Sequence, residues 1–141
     1  LSFTGEFRHS IDAKGRLIVP SRMRDELVGD KAVLVTYLDG CIAMFSEEGF
    51  ERFQQQLMGL ERSREESRAL IRTMGSGTHE DEVDKQGRIT VPAKLRNYAG
   101  IEKDVVILGA FDHAELWNPE SWAAKQLDEQ GLNERAAELS F

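Results

Sequence analysis

A single cysteine, Cys41, leaves no partner for an intrachain disulfide, so a reducing, cytosolic setting is the expectation. The three histidines, His9, His79 and His113, show no metal-ligand spacing with one another or with Cys41, and no metal site is expected. No apolar run approaches the roughly 18–20 residues of a membrane span, and no secretory signal precedes Ile11, so neither a membrane nor export is expected. Ser10, Ser21 and Ser46 lie in no nucleophile-elbow context, and no glycine-rich loop opens a helix after a strand to cradle phosphate. Carboxylates abound, but on charged helical stretches where solvation accounts for them. Catalytic residues, cofactors and a small-molecule substrate are therefore not expected. Leu1 stands where an initiating Met would, which fits a trimmed or altered terminus.

What the chain does have is charge, acidic in sum and unevenly placed. Thirty per cent charged and forty per cent hydrophobic residues suit a soluble globular protein, and the net charge is −7. That total argues against indiscriminate binding to a polyanion. Between Arg8 and Arg24, however, Arg8, Lys14, Arg16, Arg22 and Arg24 are set against Asp12 alone. Between Asp84 and Arg96, the cations Lys85, Arg88, Lys94 and Arg96 are set against Asp84 alone. The acid is concentrated in 47–66, 80–82 and the C-terminal segment. Local field, more than total charge, steers a polyanion to a surface.

The two basic clusters are copies of one motif. Ile11-Asp-Ala-Lys-Gly-Arg-Leu-Ile-Val-Pro20 recurs as Val83-Asp-Lys-Gln-Gly-Arg-Ile-Thr-Val-Pro92, with Asp12 and Asp84 separated by 84 − 12 = 72 positions. Gly15/Gly87, Arg16/Arg88, Val19/Val91, Pro20/Pro92 and Arg24/Arg96 keep that offset, as do Phe45/Trp117 and Phe50/Trp122. Agreement at a Gly, a Pro and two Arg identifies an internal repeat. A unit of a few dozen residues can hardly bury a core alone, so the copies must share one with each other, with another subunit, or both.

In copy one, Phe7, His9 and Ile11 alternate with Arg8 and Ser10 as on a strand. Asp12-Ala-Lys-Gly15 reads as a tight turn, in which Asp accepts hydrogen bonds through its side chain and Gly supplies a positive φ. Arg16-Leu-Ile-Val19 returns as a second strand, which predicts a β-hairpin. Pro20 ends the ladder just inside a helix over 21–28 that Gly29 stops. Strands over 31–38 and 41–45 follow around a turn at Asp39-Gly40. Copy two repeats the plan with Lys103, Val105–Leu108, a turn near Asp112 and Glu115–Trp117. Between the copies, Phe50, Phe53, Leu57 and Leu60 mark an amphipathic helix and 63–74 a second, with Gly75-Ser-Gly77 as a hinge. A single helix of alternating charge is predicted over 125–138.

The turn motif has a structural reading and a functional one. Asp12, Gly15 and Pro20, with Asp84, Gly87 and Pro92, serve the backbone. Backbone needs do not explain why Arg16 and Arg24, with a cation at 22 and 94, recur in both copies. A tip bearing Lys14 and Arg16, beside a helix bearing Arg22 and Arg24, sets cations along a ridge. A β-ribbon of this kind fits the DNA major groove, and arginine's planar fork suits both phosphate and the guanine O6/N7 edge. The candidate DNA contacts are Arg8, Lys14, Arg16, Arg22, Arg24, Lys85, Arg88, Lys94 and Arg96.

The pattern Phe3…Gly5…Asp-Ala-Lys-Gly-Arg-Leu-Ile-Val-Pro…Arg24, doubled as Asp-Lys-Gln-Gly-Arg-Ile-Thr-Val-Pro…Arg96, resembles the MraZ family of bacterial proteins over nearly the whole chain. The resemblance implies an α+β fold of two AbrB-like (SpoVT-AbrB) swapped-hairpin modules related by an internal pseudo-twofold. These would be 6–53 and 78–125, with a helical connector at 54–77 and a C-terminal helix or tail at 126–141. It implies a sequence-specific transcriptional regulator of the cell-division and cell-wall gene cluster, cytoplasmic and nucleoid-associated. Such a protein binds short G-rich direct repeats in double-stranded DNA upstream of its own operon, as a ring-like homo-oligomer. The family's Asp-x-x-x-Arg motif falls on Asp12/Arg16 and Asp84/Arg88. Copy two departs in charge: Gln86 replaces Lys14, and Glu80 replaces Arg8, followed by Asp81 and Glu82, which would repel phosphate unless turned away. AbrB-like folds also serve as antitoxins that wrap a toxin with an acidic tail. The acidic C-terminal segment keeps such a protein-binding module open as the alternative.

Overall fold

The computed structural model describes residues 2–141, and Leu1 lies outside the described residues. Copy one contributes β1 (Glu6–Ser10), β2 (Arg16–Ile18), α1 (Ser21–Arg24), β3 (Lys31–Thr36), β4 (Ile42–Phe45) and α2 (Glu47–Met58), followed by α3 (Glu65–Ser76). Copy two contributes β5 (Thr78–Glu82), β6 (Arg88–Thr90), α4 (Ala93–Ala99), β7 (Asp104–Gly109), β8 (Ala114–Trp117) and α5 (Pro119–Lys125), followed by α6 (Glu129–Glu138). The strands form a six-stranded antiparallel sheet in the order β1-β7-β8-β4-β3-β5 and a separate two-stranded ribbon, β2-β6.

The expected hairpin is corrected by this pairing. The turn closes, with the Asp12 amide donating to the Arg16 carbonyl at 3.0 Å and the Gly15 amide to the Asp12 carbonyl at 2.9 Å. The two strands it joins nevertheless go to different partners. β1 lies along β7 of copy two, Phe7 opposite Ile107 and Ser10 opposite Asp104. β5 lies along β3 of copy one, Asp81 opposite Ala32 and Glu82 opposite Lys31. Each copy's first strand thus completes the other copy's part of the sheet. β2 pairs with β6, Leu17 opposite Ile89, and backbone bonds from Val19 to Gly87 and from Val91 to Gly15 lengthen the ribbon. A three-residue strand folded back on its neighbour would make an isolated hairpin, which is marginal in water. Crossing to the other copy instead buries Leu17 and Ile89, each 1% exposed, over the sheet.

The strands keep equivalent registers although the spacing drifts by one. β3 and β7 begin 104 − 31 = 73 positions apart, while β4 and β8 begin 114 − 42 = 72 apart. Copy two therefore has one more residue before its long strand and one fewer in the turn after it. Ala43 and Glu115, equivalent by the repeat, face each other across β4 and β8.

The core lies on both faces of the large sheet. On one face Leu34, Met44, Ile107 and Leu116 pack beneath the ribbon's Leu17 and Ile89 and beneath Met23 and Leu95 of α1 and α4. Both copies contribute to this layer, as their small size requires. On the opposite face Val33, Val35 and Phe45 lie under Phe50, Phe53 and Leu57 of α2 and Leu70 and Met74 of α3. Val106, Leu108 and Trp117 lie under Trp122 of α5.

Several helix boundaries differ from the sequence expectation. α1 stops at Arg24 because Glu26 and Leu27 donate three residues back, tightening the chain, and Gly29 then takes φ 69°. Pro20 is the cap residue preceding that helix rather than its first residue. α3 runs through Gly75 and Ser76, so these residues are helical rather than a hinge, and the amide of Gly77 donates to Thr73 O at 3.1 Å to close it. The single C-terminal helix is two: Gln126 is extended, and Asp128 starts α6 anew by accepting from the Gly131 amide at 2.8 Å. α6 has no buried residue. No helix among the described residues is long and apolar enough to cross a membrane.

Candidate nucleic-acid interface

Both turns have the same internal bonding, residue for residue. Asp12 Oδ1 accepts from the Lys14 and Arg16 amides, each at 2.9 Å, and Oδ2 accepts from Arg16 Nε at 3.0 Å. Asp84 does the same for the amides of Gln86 and Arg88, at 2.9 and 2.8 Å, and for Arg88 Nε at 2.9 Å. The Arg16 and Arg88 amides do most to hold these carboxyls below the usual carboxylate range, with desolvation opposing them and the arginine side chains and the amides of Lys14 and Gln86 adding to the lowering. Each aspartate thus fixes both the loop and the direction of its arginine. Gly15 and Gly87 take φ 78° and 81°, the left-handed conformation a β-carbon resists.

The ribbon carries these arginines on one face. Leu17 and Ile89 point into the core, so strand alternation puts Arg16, Ile18, Arg88 and Thr90 on the outer side. Arg16 lies opposite Thr90, and Ile18 opposite Arg88. The two arginines are therefore diagonal neighbours, with α-carbons about 7–8 Å apart. Arg88 Nη2 also donates to Gln86 Oε1 at 3.2 Å, whereas the Nη atoms of Arg16 make no hydrogen bond among the described residues.

The other sequence candidates are placed differently. Lys14 and Lys85 are exposed on the turns, and Arg22 is exposed on α1. Arg24 and Arg96 are half-buried and reach under the turn of the other copy: a β-carbon at Gly87 would lie 2.7 Å from Arg24 Nη1, and one at Gly15 3.3 Å from Arg96 Nη2. Arg96 Nε donates to Val91 O at 2.9 Å, while Arg24 Nε is buried without a partner among the described residues. Lys94 Nζ donates to Ser76 O at 3.0 Å, where it caps the C-terminal end of α3. Arg8 is not brought to the ribbon. Its register partner Val106 belongs to the layer under α5, so Arg8 lies on the far face of the sheet.

The acids of β5 resolve along the same lines. Glu80 is opposite Val33 of the α2 layer, so it and Glu82 point away from the ribbon. Asp81 points toward it, and its Oδ2 accepts from the Thr90 amide at 2.6 Å on the outer edge of β6. Sequence reasoning missed Ile18, Thr90 and Asp81. Alternation about Leu17 and Ile89 was the available signal, but it acquires meaning only once β2 is known to pair with β6.

Away from the ribbon, a buried histidine, His113, is held between an exposed and a half-buried carboxylate. His113 Nδ1 meets Asp112 Oδ1 at 2.6 Å and Nε2 meets Glu115 Oε2 at 2.8 Å, while Trp117 Nε1 donates to Glu115 Oε1 at 2.9 Å. Phe45 and Tyr37 pack on the imidazole, with ring centroids 5.2 and 4.9 Å away. Burial opposes the charged imidazolium, but its hydrogen bonds to the Glu115 and Asp112 carboxylates and their negative charge outweigh it, and the His113 pKa is raised. Burial pushes the neighbouring Cys41 thiol up.

Comparison with known proteins gives a consistent result. The model of a family described as "MraZ protein, putative antitoxin-like" matches residues 2–73 and again 74–139. The chain is similar to "Transcriptional regulator MraZ" of Heliobacterium modesticaldum, 45% identical over 135 residues that cover 96% of this chain and 89% of that protein. The regulator of the same name from Acetivibrio thermocellus is 43% identical over 136 residues, covering 96% of this chain and 94% of its own. That of Symbiobacterium thermophilum is 48% identical over 119 residues, covering 84% and 86%.

Proposed function

The chain belongs to the MraZ family, and from that premise we propose that it is a sequence-specific DNA-binding transcriptional regulator whose reading head is the β2–β6 ribbon. The family is one of transcriptional regulators, not enzymes. The observation that carries the reading is the pair of aspartate-braced arginines on the outer face of one ribbon. A two-stranded ribbon is a width the major groove admits, and the guanidinium fork matches the O6/N7 edge of guanine. Bracing by Asp12 and Asp84 means that little side-chain freedom is left to lose on binding. Lys14, Lys85 and Arg22 supply phosphate contacts around the head, and Arg24 and Arg96 support the turns from beneath.

In this reading the two copies form AbrB-like swapped-hairpin modules, 6–53 and 78–125, about a pseudo-twofold. The facing of equivalent residues, Leu17 with Ile89 and Ala43 with Glu115, supports it, as does the reciprocal exchange of β1 and β5. The operator is the set of short G-rich direct repeats upstream of the protein's own operon in the cell-division and cell-wall cluster, bound at the nucleoid in the cytoplasm. A ring-like homo-oligomer would present one ribbon per subunit to successive repeats, multiplying affinity through effective concentration. Apolar side chains left exposed, among them Phe111 at 74% and Met58 at 55%, support further association. The antitoxin alternative is supported by α6, which buries no residue and leaves Leu132 exposed, as is Leu139 just beyond its end.

Footprinting on the upstream region tests the proposal. Regularly spaced protection that Arg16→Ala removes is expected. A protein that ignores this DNA but captures a protein partner through α6 would overturn it in favour of the alternative.

A further inference from the structure

The four outer positions of the ribbon are not alike in chemistry. Arg16, Arg88 and Thr90 are polar, and the fourth, Ile18, is a large apolar side chain left 48% exposed. Isolated apolar residues on a surface are ordinary. This one differs in lying on the face that carries both braced arginines, directly opposite Arg88. Its counterpart in copy two is Thr90, so the repeat keeps the arginine and changes the residue two places on. Thr90 is also flanked by Asp81, whose carboxylate holds the Thr90 amide, whereas the same strand position in copy one is His9.

Resting on the reading of the ribbon as a DNA-reading head, we infer that Ile18 selects a thymine by packing against its C5 methyl group, so that the two halves of the ribbon read different bases and each operator box is bound in one direction. Directly opposed residues of a ribbon lie about 4.5–5.5 Å apart. Base pairs along a strand are separated by about 3.4 Å. Ile18 therefore lies within two base steps of the guanine that Arg88 holds. An isoleucine at the groove floor cannot satisfy the acceptors of guanine or the amino groups of adenine and cytosine, and covering them without a partner is unfavourable. Thymine alone offers an apolar group on its groove edge. The Thr90 hydroxyl can donate or accept, so the equivalent base in the other half is read tolerantly. A head with unlike halves cannot be matched by a palindrome, which suits operators built from direct repeats.

The test uses a duplex spanning the footprinted repeats, with each thymine replaced in turn by deoxyuridine, which removes only the methyl group. One replacement per box should weaken wild-type binding about fourfold, the factor that corresponds to withdrawing one carbon of apolar burial. Ile18→Ser, which removes every apolar carbon beyond the β-carbon at an exposed position, should bind the thymine duplex more weakly and lose this sensitivity. Thr90→Ile should create a second sensitive thymine in the other half of the box. If no replacement weakens wild-type binding, or the sensitivity survives in Ile18→Ser, while Arg16→Ala still impairs binding, the inference is overturned and the ribbon reading stands. If Arg16→Ala and Arg88→Ala both bind like wild type, the ribbon reading fails and the inference with it.

Discussion

Replacing Gly77 by alanine isolates one close approach at the junction between the copies. The residue is buried, its carbonyl accepts from the Thr36 amide at 3.0 Å and from Thr36 Oγ1 at 3.2 Å, and its φ of −97° suits any residue. Alanine therefore brings no dihedral strain, and through the unfolded chain it should even favour folding by about 0.4–1 kcal/mol. Space decides against it. A β-carbon at Gly77 would lie 1.6 Å from Thr36 Oγ1 and 3.0 Å from both Thr36 Cβ and Thr73 O. Either the Thr36 side chain rotates and loses its hydrogen bond, worth about 0.5–1.5 kcal/mol, or the end of α3 lifts off β3, an overpacking cost of about 1–3 kcal/mol. A net loss of about 2 kcal/mol, or roughly 8 °C in Tm, is expected for a chain of this length. Thr36→Ala alone should cost about 1–2 kcal/mol for its hydroxyl and methyl groups. In the double variant the oxygen that clashes is gone, so its stability should match that of Thr36→Ala, a coupling of about 2 kcal/mol. Thermal and urea unfolding followed by the fluorescence of Trp117 and Trp122, at one fixed protein concentration, would measure all three. A neutral Gly77→Ala, or strictly additive effects, would show that the junction has slack and that the close packing of α3 on β3 is wrong.

Three other outcomes follow from the site and the buried cluster. Lys14→Gln with Arg16→Ala should flatten the dependence of log affinity on log salt more than Lys85→Gln with Arg88→Ala, by roughly 0.9 for each phosphate no longer neutralised; equal changes would mean that both turns meet DNA alike. His113 has a raised folded pKa, so its stabilising charge is fully present below its unfolded value of about 6.5 and is lost as pH rises through the folded value. The Tm advantage of wild type over His113→Gln should accordingly be largest near pH 6 and shrink by pH 9, and a constant difference would refute the charged pairing with Glu115 and Asp112. Cys41 is fully buried with its thiol pKa pushed up, so iodoacetamide should leave it unmodified in the native protein and label it only as urea unfolds the chain; rapid native labelling would contradict its placement.

Local features were legible in the sequence because their causes are local. Asp12 and Asp84 bond to amides two and four residues on, and the spacing of Phe50, Phe53 and Leu57 marks one face of α2. The pairing of β1 and β2 was not legible. Alternation assigns the sides of a strand but not its partner, and the turn between them looks the same whether its strands pair or diverge. The same gap hid the side of Arg8: its opposition to Phe7 and His9 was readable, but which side would face the ribbon depended on β7. Arg24 and Arg96 looked like surface cations because a side chain that supports another segment's turn has no signature of its own. The break at 126–128 was concealed by charges that suit either one helix or two.

Two separate chains that exchanged strands as β1 and β5 do would be a dimer whose folding depended on concentration. Here residues 46–77, with α2 and α3, tether the halves, so their encounter is intramolecular and does not depend on protein concentration. An assembly of identical chains must also carry the same residue at both symmetric places, and the tether lifts that obligation. Ala43 can face Glu115 across β4 and β8, where a second glutamate would set like charges side by side. Arg8 can become Glu80, and Ile18 can become Thr90, without either change being duplicated. The accompanying penalty is kinetic. Glu6 must find Leu108 before the sheet closes, so the first half cannot finish folding until the second has been made at least through β7.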